Sequence, residues 1–135
     1  QGMTAFEGHG VTITLRDVID MVEATAEDSW QMDVVRSMDG QRNCFFGHLH
    51  AYASTLAPAG MDPDRLASEV WDWFEEQYAS TYAIYPINDG KSPRYPQPTP
   101  RQRVLGFLND LRTGGALRTW EGMETEYLLH CGIFE

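Results

Sequence analysis

The sequence is poor in lysine, in cysteine and in long hydrophobic runs, and each shortage excludes a class of protein. One lysine and nine arginines face twenty acidic residues among 135, for a net charge of −10. A chain this acidic lacks the general basic surface that binds anionic nucleic acids or membranes. Two cysteines are too few for a disulfide scaffold, which predicts a reducing, cytoplasmic location. No apolar run reaches the length of a membrane span, and no signal peptide is visible.

The few basic residues are concentrated in one part of the chain. Residues 90–118 hold six basic residues and one acidic residue, a net charge of +5, which leaves −15 on the rest. The simplest prediction is that this segment lies beside the acidic helices and neutralises them. The acidic remainder keeps a second interpretation open, a DNA-mimic inhibitor of a DNA-handling protein. The preference for arginine over lysine indicates a GC-rich coding genome.

Length and hydrophobic periodicity predict one mainly α-helical domain. Residues 1–13 are expected to be an expression-tag remnant and a frayed N-terminus. Residues 14–135 are expected to form a single compact bundle of four to five helices. The first four helices are predicted to start at capping residues, which are Thr14, Asn43, Asp62 and Thr99. A last helix is predicted over residues 119–130, and Gly114 is predicted to end the helix before it.

Two segments do not follow a helical pattern. Residues 29–43 combine the β-like pair Val34–Val35 with the turn signal Asp39–Gly40, so a short hairpin and an irregular loop both remain open. Residues 81–87 are rich in tyrosine and β-branched residues, which predicts an extended segment closed by Pro86.

The proline-rich loop that follows is the first place to expect a function. Five of the seven prolines lie between residues 86 and 100, which predicts a stiff, ordered loop. Long loops inside small domains are usually functional or disordered, and this mixture of donors, acceptors and aromatic rings suits a contact with a protein or a small ligand. The candidate binding residues are Tyr85, Asn88, Asp89, Lys91, Arg94 and Tyr95. A structural role also remains open, in which Asn88 and Asp89 close a turn and bond nearby backbone.

A second constellation combines sulfur with imidazole. Cys44 and His48 are four residues apart on a predicted helix, so their side chains would share a face. A thiol beside an imidazole can act as a nucleophile, and with His130 and Cys131 the pair could hold zinc. Neither pair has CxxC spacing, and buried cysteines are most often inert hydrophobes. A zinc-binding or thiol enzyme is therefore the alternative prediction.

No known catalytic motif accompanies these candidates. The sequence contains no glycine-rich phosphate loop, no nucleophile elbow and no HExxH. The carboxylates of Asp72, Glu75 and Glu76 fall on one helix face, whereas a hydrolytic acid–base pair needs two carboxylates across a cleft. The leading prediction is a non-enzymatic, cytoplasmic protein that acts through protein–protein contacts, without a catalytic residue or a cofactor.

With these motifs placed, the chain resembles a class of uncharacterised small helical proteins of actinobacteria and their phages. The resemblance rests on Asp39–Gly40 with Cys44 and Gly47, on the run from Ile84 to Asp89, and on the capped helix from Thr99 to Leu111. It covers about residues 14–115, and the final predicted helix departs from it. No catalytic residue carries over from this class. The resemblance implies only that Cys44 and the pair Asn88–Asp89 matter, in a structural or a functional role.

Overall fold

The computed structural model describes residues 5–114, and these residues form a mainly α-helical fold with one small sheet. The mainly helical class predicted from the sequence is confirmed. The elements in chain order are β1 (Phe6–Gly8), β2 (Val11–Ile13), α1 (Leu15–Ala24), a 3-10 turn (Glu27–Ser29), α2 (Phe45–Ser54), α3 (Pro63–Gln77), α4 (Thr81–Asn88) and α5 (Pro100–Thr113). The predicted helix at 119–130 lies outside the described residues. Within the described residues, no helix is both long and apolar enough to cross a bilayer.

Three helix starts were predicted correctly because their signals are local. Thr14 and Asp17 form a reciprocal capping box at α1, and Asp62 caps α3, with Pro63 in its first turn. Thr99 accepts the backbone N–H of Gln102 at the start of α5. That helix ends at Gly114, which has the left-handed conformation that favours glycine. Cap signals need only three or four consecutive residues, so they are visible without the tertiary fold.

The prediction of a frayed N-terminus is wrong for residues 6–13. These residues form an antiparallel hairpin in which Phe6 pairs with Ile13. Its two turn residues, His9 and Gly10, both have positive φ, as a tight two-residue hairpin turn requires. Phe6 and Ile13 are buried, and the Phe6 ring meets Trp73 edge-on at 6.2 Å. Burial of these apolar side chains against α3 stabilises a hairpin that would be marginal alone.

The prediction of an extended segment at 81–87 is also wrong. These residues form α4, with Pro86 inside the helix. The segment is helical despite its strand-favouring composition, because the helix buries Ala83, Ile84 and Ile87 on one side. Tertiary packing of this kind overrides weak intrinsic propensity. The predicted turn after it is retained at the end of α4, where Gly90 has a φ of +77°.

Aromatic packing between α2 and α3 forms the centre of the core. Phe45 and Phe46 of α2 and Phe74 of α3 are fully buried, and their ring centroids lie 5.0–6.0 Å apart. The residue immediately before α2 is Cys44 and not the predicted cap Asn43, and its side chain makes no capping hydrogen bond. Helix α5 packs on both α1 and α4, so the helices enclose one continuous core.

The segment before α2 is mostly irregular, but an antiparallel bridge between Arg36 and Asn43 closes a tight turn over residues 37–42. Two isolated bridges join Trp30 and Arg36 to Asn43. Asn43 also exchanges backbone hydrogen bonds of 2.9 Å with Ser29 and Gln31. The chain therefore leaves the 3-10 turn, makes an excursion over residues 31–42, and returns beside its own start.

Candidate binding surfaces

The six candidate residues of the proline-rich region do not form one surface. Lys91 and Arg94 are exposed, Tyr85 and Asp89 are half-buried, and Asn88 and Tyr95 are buried. The hydroxyl of Tyr95 donates to Asp110 at 2.5 Å, and burial together with this contact raises the pKa of the Tyr95 phenol. The loop therefore packs on α5 through its aromatic residue, and that ring is not offered to a ligand.

Asn88 is a bridge between three parts of the chain. It is 1% exposed, and its Oδ1 accepts the backbone N–H of Phe45 at 3.0 Å. Its Nδ2 donates to the carbonyl of Gln31 at 2.9 Å and to Asp89 at 3.0 Å. Phe45 begins α2, where backbone N–H groups have no partner within the helix, and the Cys44 side chain provides no cap. Asn88 thus caps a helix that lies 43 residues earlier in the sequence.

Asp89 continues the same connection. Its Oδ1 accepts the backbone N–H of Asp33 at 3.2 Å, and Asp33 has a φ of +74°. The Asp89 carboxylate therefore holds the 31–42 segment in a conformation that a residue other than glycine rarely adopts. These contacts fit the structural role that the sequence left open for Asn88 and Asp89.

A small cavity lies beneath this connection. It measures about 30 Å³ and is lined by Asp33, Val34, Cys44, Tyr85 and Asp89, a size that suits one ordered water and no larger ligand. Burial raises the pKa of the Cys44 thiol and of the Tyr85 phenol, and the Asp89 carboxylate raises both further. Hydrogen bonds from the backbone N–H groups of Gly47 and Phe46 lower the pKa of the Cys44 thiol, against the effect of burial. The net direction keeps the thiol protonated, which weakens it as a nucleophile.

The predicted Cys44–His48 pair is not assembled. Cys44 is the residue before the helix, whereas His48 turns toward the 3-10 turn, where its Nε2 donates to the Ser29 carbonyl at 3.0 Å. The His48 ring lies 4.5 Å from Trp30, and burial lowers its pKa. No group of three or more metal-ligating side chains occurs among residues 5–114. His130 and Cys131 lie outside the described residues.

Arg103 is a buried charged residue that the sequence did not mark as a candidate. It is 6% exposed, and its guanidinium donates to the carbonyls of Ile87, Asn88 and Gln97, each at 2.9 Å. Ile87 and Asn88 end α4, where carbonyl groups have no partner within the helix. The available signal was its place beside Val104 on the apolar stripe of α5, where a charged residue needs buried acceptors.

The neighbouring Arg101 behaves as the charge pattern predicted. Its Nη1 lies 3.1 Å from Glu27 and its Nη2 donates to the carbonyl of Glu23 at 2.7 Å. One basic side chain of the 90–118 segment therefore does pair with an acidic residue of the 3-10 turn that follows α1. Arg103 does not, because its charge is directed at backbone carbonyls inside the fold.

Residues 31–42, here called the 31–42 loop, form an exposed surface with apolar side chains. Met32, Val34 and Met38 are 42%, 51% and 107% exposed, and they are three of the five large hydrophobic residues that the described chain exposes. The tip is a tight turn in which Ser37 and Asp39 bond each other and the backbone. Large apolar residues on a braced loop are unusual on a free surface and typical of a contact surface.

A groove lies between the same loop and helices α2 and α3. It has a volume of about 350 Å³, near the lower end of the range for small-molecule sites. Its floor is α2, and its walls are Val35, Arg36 and Asn43 on one side and α3 on the other. The lining residues are Val35, Arg36, Asn43, Gly47, His50, Ala51, Ser54, Asp64 and Trp71.

Comparison with protein-family models, with curated proteins and with solved structures finds no match to this chain. The resemblance to the actinobacterial and phage class therefore stays a prediction, and no residue role is transferred from another protein.

Proposed function

We propose that this protein acts without catalysis, as a cytoplasmic binding protein that contacts a protein partner through the 31–42 loop. The observation that carries the proposal is the exposure of Met32, Val34 and Met38 on a loop whose base is fixed to the core. The flexible methionine side chain adapts to a partner surface, while the fixed backbone lowers the entropy lost on binding.

The fixation has four separate components. Cys44 donates its backbone N–H to Val35 at 2.9 Å, and Gln31 donates to Asn43 at 2.9 Å. The side chains of Asn88 and Asp89 hold Gln31 and Asp33. Asn88 and Asp89, which the sequence suggested as binding residues, thus support the loop that is proposed to contact the partner.

Charge also favours this surface over the rest of the molecule. The chain carries a net charge of −10, whereas the 31–42 loop contains two aspartates and two arginines and is neutral. A partner that carries carboxylates is therefore repelled less at this neutral loop than at the rest of this negatively charged chain. Arg42 is exposed at the edge of the loop, so the best-fitting partner has an apolar centre and a carboxylate at its rim.

The test uses a photo-crosslinking amino acid placed at position 38, with position 56 as the control because Leu56 is another exposed hydrophobic residue. A partner crosslinked from the source cells is purified and titrated against the wild-type chain and the Met38→Glu variant. We expect crosslinking from position 38 alone, and a loss of affinity of about tenfold or more for Met38→Glu without a change in melting temperature. Equal crosslinking from both positions, or equal affinity of both chains, would show that the loop is not the contact surface.

The DNA-mimic interpretation stays a prediction. It requires partner binding that weakens steeply with salt, whereas an apolar loop contact depends weakly on salt. The same titration at low and high salt separates the two.

A further inference from the structure

The groove beside the 31–42 loop is formed by the residues that α2 places on its outer face. Gly47, Ala51 and Ser54 lie at helical spacing and are small, which leaves a channel along the helix. A side chain at position 47 is excluded, because a Cβ there would lie 2.5 Å from the Val35 carbonyl oxygen. The loop and α2 therefore approach closely at one end of the groove and leave it open over Ala51.

One wall of the groove is a rigid aromatic ring. Trp71 of α3 stacks on the fully buried Phe46 with ring centroids 4.6 Å apart and planes 15° apart. The His50 ring stands nearly perpendicular to Trp71 at 6.4 Å. Because Trp71 is half-buried and lines the groove, part of the ring remains available to stack on a planar group.

The opposite wall carries a positive charge. Arg36 is the one arginine or lysine that lines the groove, and its guanidinium lies beside Gly40 of the loop turn. No carboxylate within residues 5–114 lies within ion-pair distance of it. The lining carboxylate, Asp64, is in the first turn of α3, where the helix dipole offsets a negative charge. The groove thus combines an aromatic face with an anion-binding guanidinium, and guanidinium pairs well with a carboxylate.

We propose that this groove binds a small aromatic carboxylate, with its ring against Trp71 and its carboxylate on Arg36. The volume of about 350 Å³ admits a ligand of one or two rings. The residues proposed to hold this ligand, Trp71 and Arg36, differ from the exposed Met32, Val34 and Met38 of the proposed protein contact, so separate variants test the two proposals.

The experiment measures the binding of three probes by calorimetry: indole-3-acetate, neutral indole and cationic tryptamine. We expect indole-3-acetate to bind with a dissociation constant of about 1 mM or tighter, indole to bind more weakly, and tryptamine to bind weakest. The indole N–H resonance of Trp71 should shift on addition of indole-3-acetate. Absence of binding to the wild-type chain, or a preference for tryptamine, would overturn the proposal.

Two variants locate the site. Ala51→Leu fills the floor of the groove from an exposed helix position and should lower the affinity for indole-3-acetate by about tenfold or more. Arg36→Gln should weaken indole-3-acetate binding while leaving indole binding unchanged. The controls are Ala24→Leu and Arg112→Gln at other exposed helical positions, and neither should change binding. Unchanged binding in a folded Ala51→Leu variant would place any bound probe elsewhere and overturn the proposal.

Discussion

The connection that precedes α2 and the connection that follows α4 are built in opposite ways. The 31–42 loop is fixed at its base and exposes apolar side chains, including a fully exposed Met38. Residues 89–99 place a serine, Ser92, and an aromatic ring, Tyr95, inside the fold. Proline-rich sequence suggested a binding loop, but its polar residues serve mainly as internal supports. Composition identifies a segment as important without showing which way its side chains face.

The largest expected effect on stability comes from Arg103, whose side chain bonds the end of α4 and the connection that follows it. Arg103→Met keeps the length of the side chain but removes the donors to three carbonyls, which leaves buried acceptors unpaired. We expect a loss of about 3–5 kcal/mol in the free energy of unfolding. Chemical denaturation measures it, with the exposed Arg112→Met as the control. Equal losses in both variants would show that Arg103 does not support the fold.

A second variant tests the close approach of the 31–42 loop to α2. The added methyl group of Gly47→Ala would overlap the Val35 carbonyl, so we expect a loss of about 2–3 kcal/mol. The control is Gly106→Ala in α5, where the first atom met is the tip of the Gln97 side chain. That side chain can move, so the control should lose less. Denaturation curves of the two variants give the comparison, and a Gly47→Ala variant as stable as the parent would contradict the packing of the loop.

Asp89 distinguishes structural support from a role in binding. Asp89→Ala removes the acceptor for Asp33 and Asn88, and we expect a loss of about 1–2 kcal/mol. Asp89→Asn keeps an acceptor oxygen, so its effect on stability should be mild. Melting temperatures of the two variants decide the matter. If both melted like the parent, the support role assigned to Asp89 would be incorrect.

Acid should loosen the contact between α2 and the 3-10 turn, where His48 bonds the Ser29 carbonyl. Burial lowers the pKa of His48 below its ordinary value of 6.5, so the unfolded chain binds a proton at that position more readily than the folded chain. The contribution of His48 to stability is therefore present above the unfolded pKa and is lost as the pH falls through it.

Denaturation at about pH 7.5 and 5.5 measures this dependence. We expect stability to fall more in the parent than in His48→Gln, whose amide can still donate to Ser29. His50→Gln is the matched control on the same helix and should behave like the parent. An identical fall in all three chains would assign the acid sensitivity to other groups.

The smallest expected effect on stability is at Met38, the fully exposed residue of the 31–42 loop. Met38→Ser removes an apolar side chain that makes no buried contact, and we expect the unfolding free energy to change by less than about 0.5 kcal/mol. The same variant should reduce partner binding. A large loss of stability would mean that Met38 supports the fold and that the loop is not a free contact surface.

The sequence alone determined where α1, α3 and α5 begin, because a cap and a proline act within one turn of chain. The charge pattern predicted that the 90–118 segment would lie beside acidic helices and neutralise them, and Arg101 of that segment pairs with Glu27 of the 3-10 turn after α1. The candidate pair Asn88–Asp89 was also selected from the sequence, although its purpose stayed open.

Tertiary structure decided the features that depend on distant residues. Residues 81–88 are helical because their apolar side chains find partners in the core, and the N-terminal hairpin forms because Phe6 packs against Trp73. Asn88 meets Phe45 across 43 residues, and Arg103 meets the end of α4 across 15 or 16. Buried polar groups must find partners wherever the fold provides them, so no local pattern could have shown which carbonyl or N–H each side chain would reach.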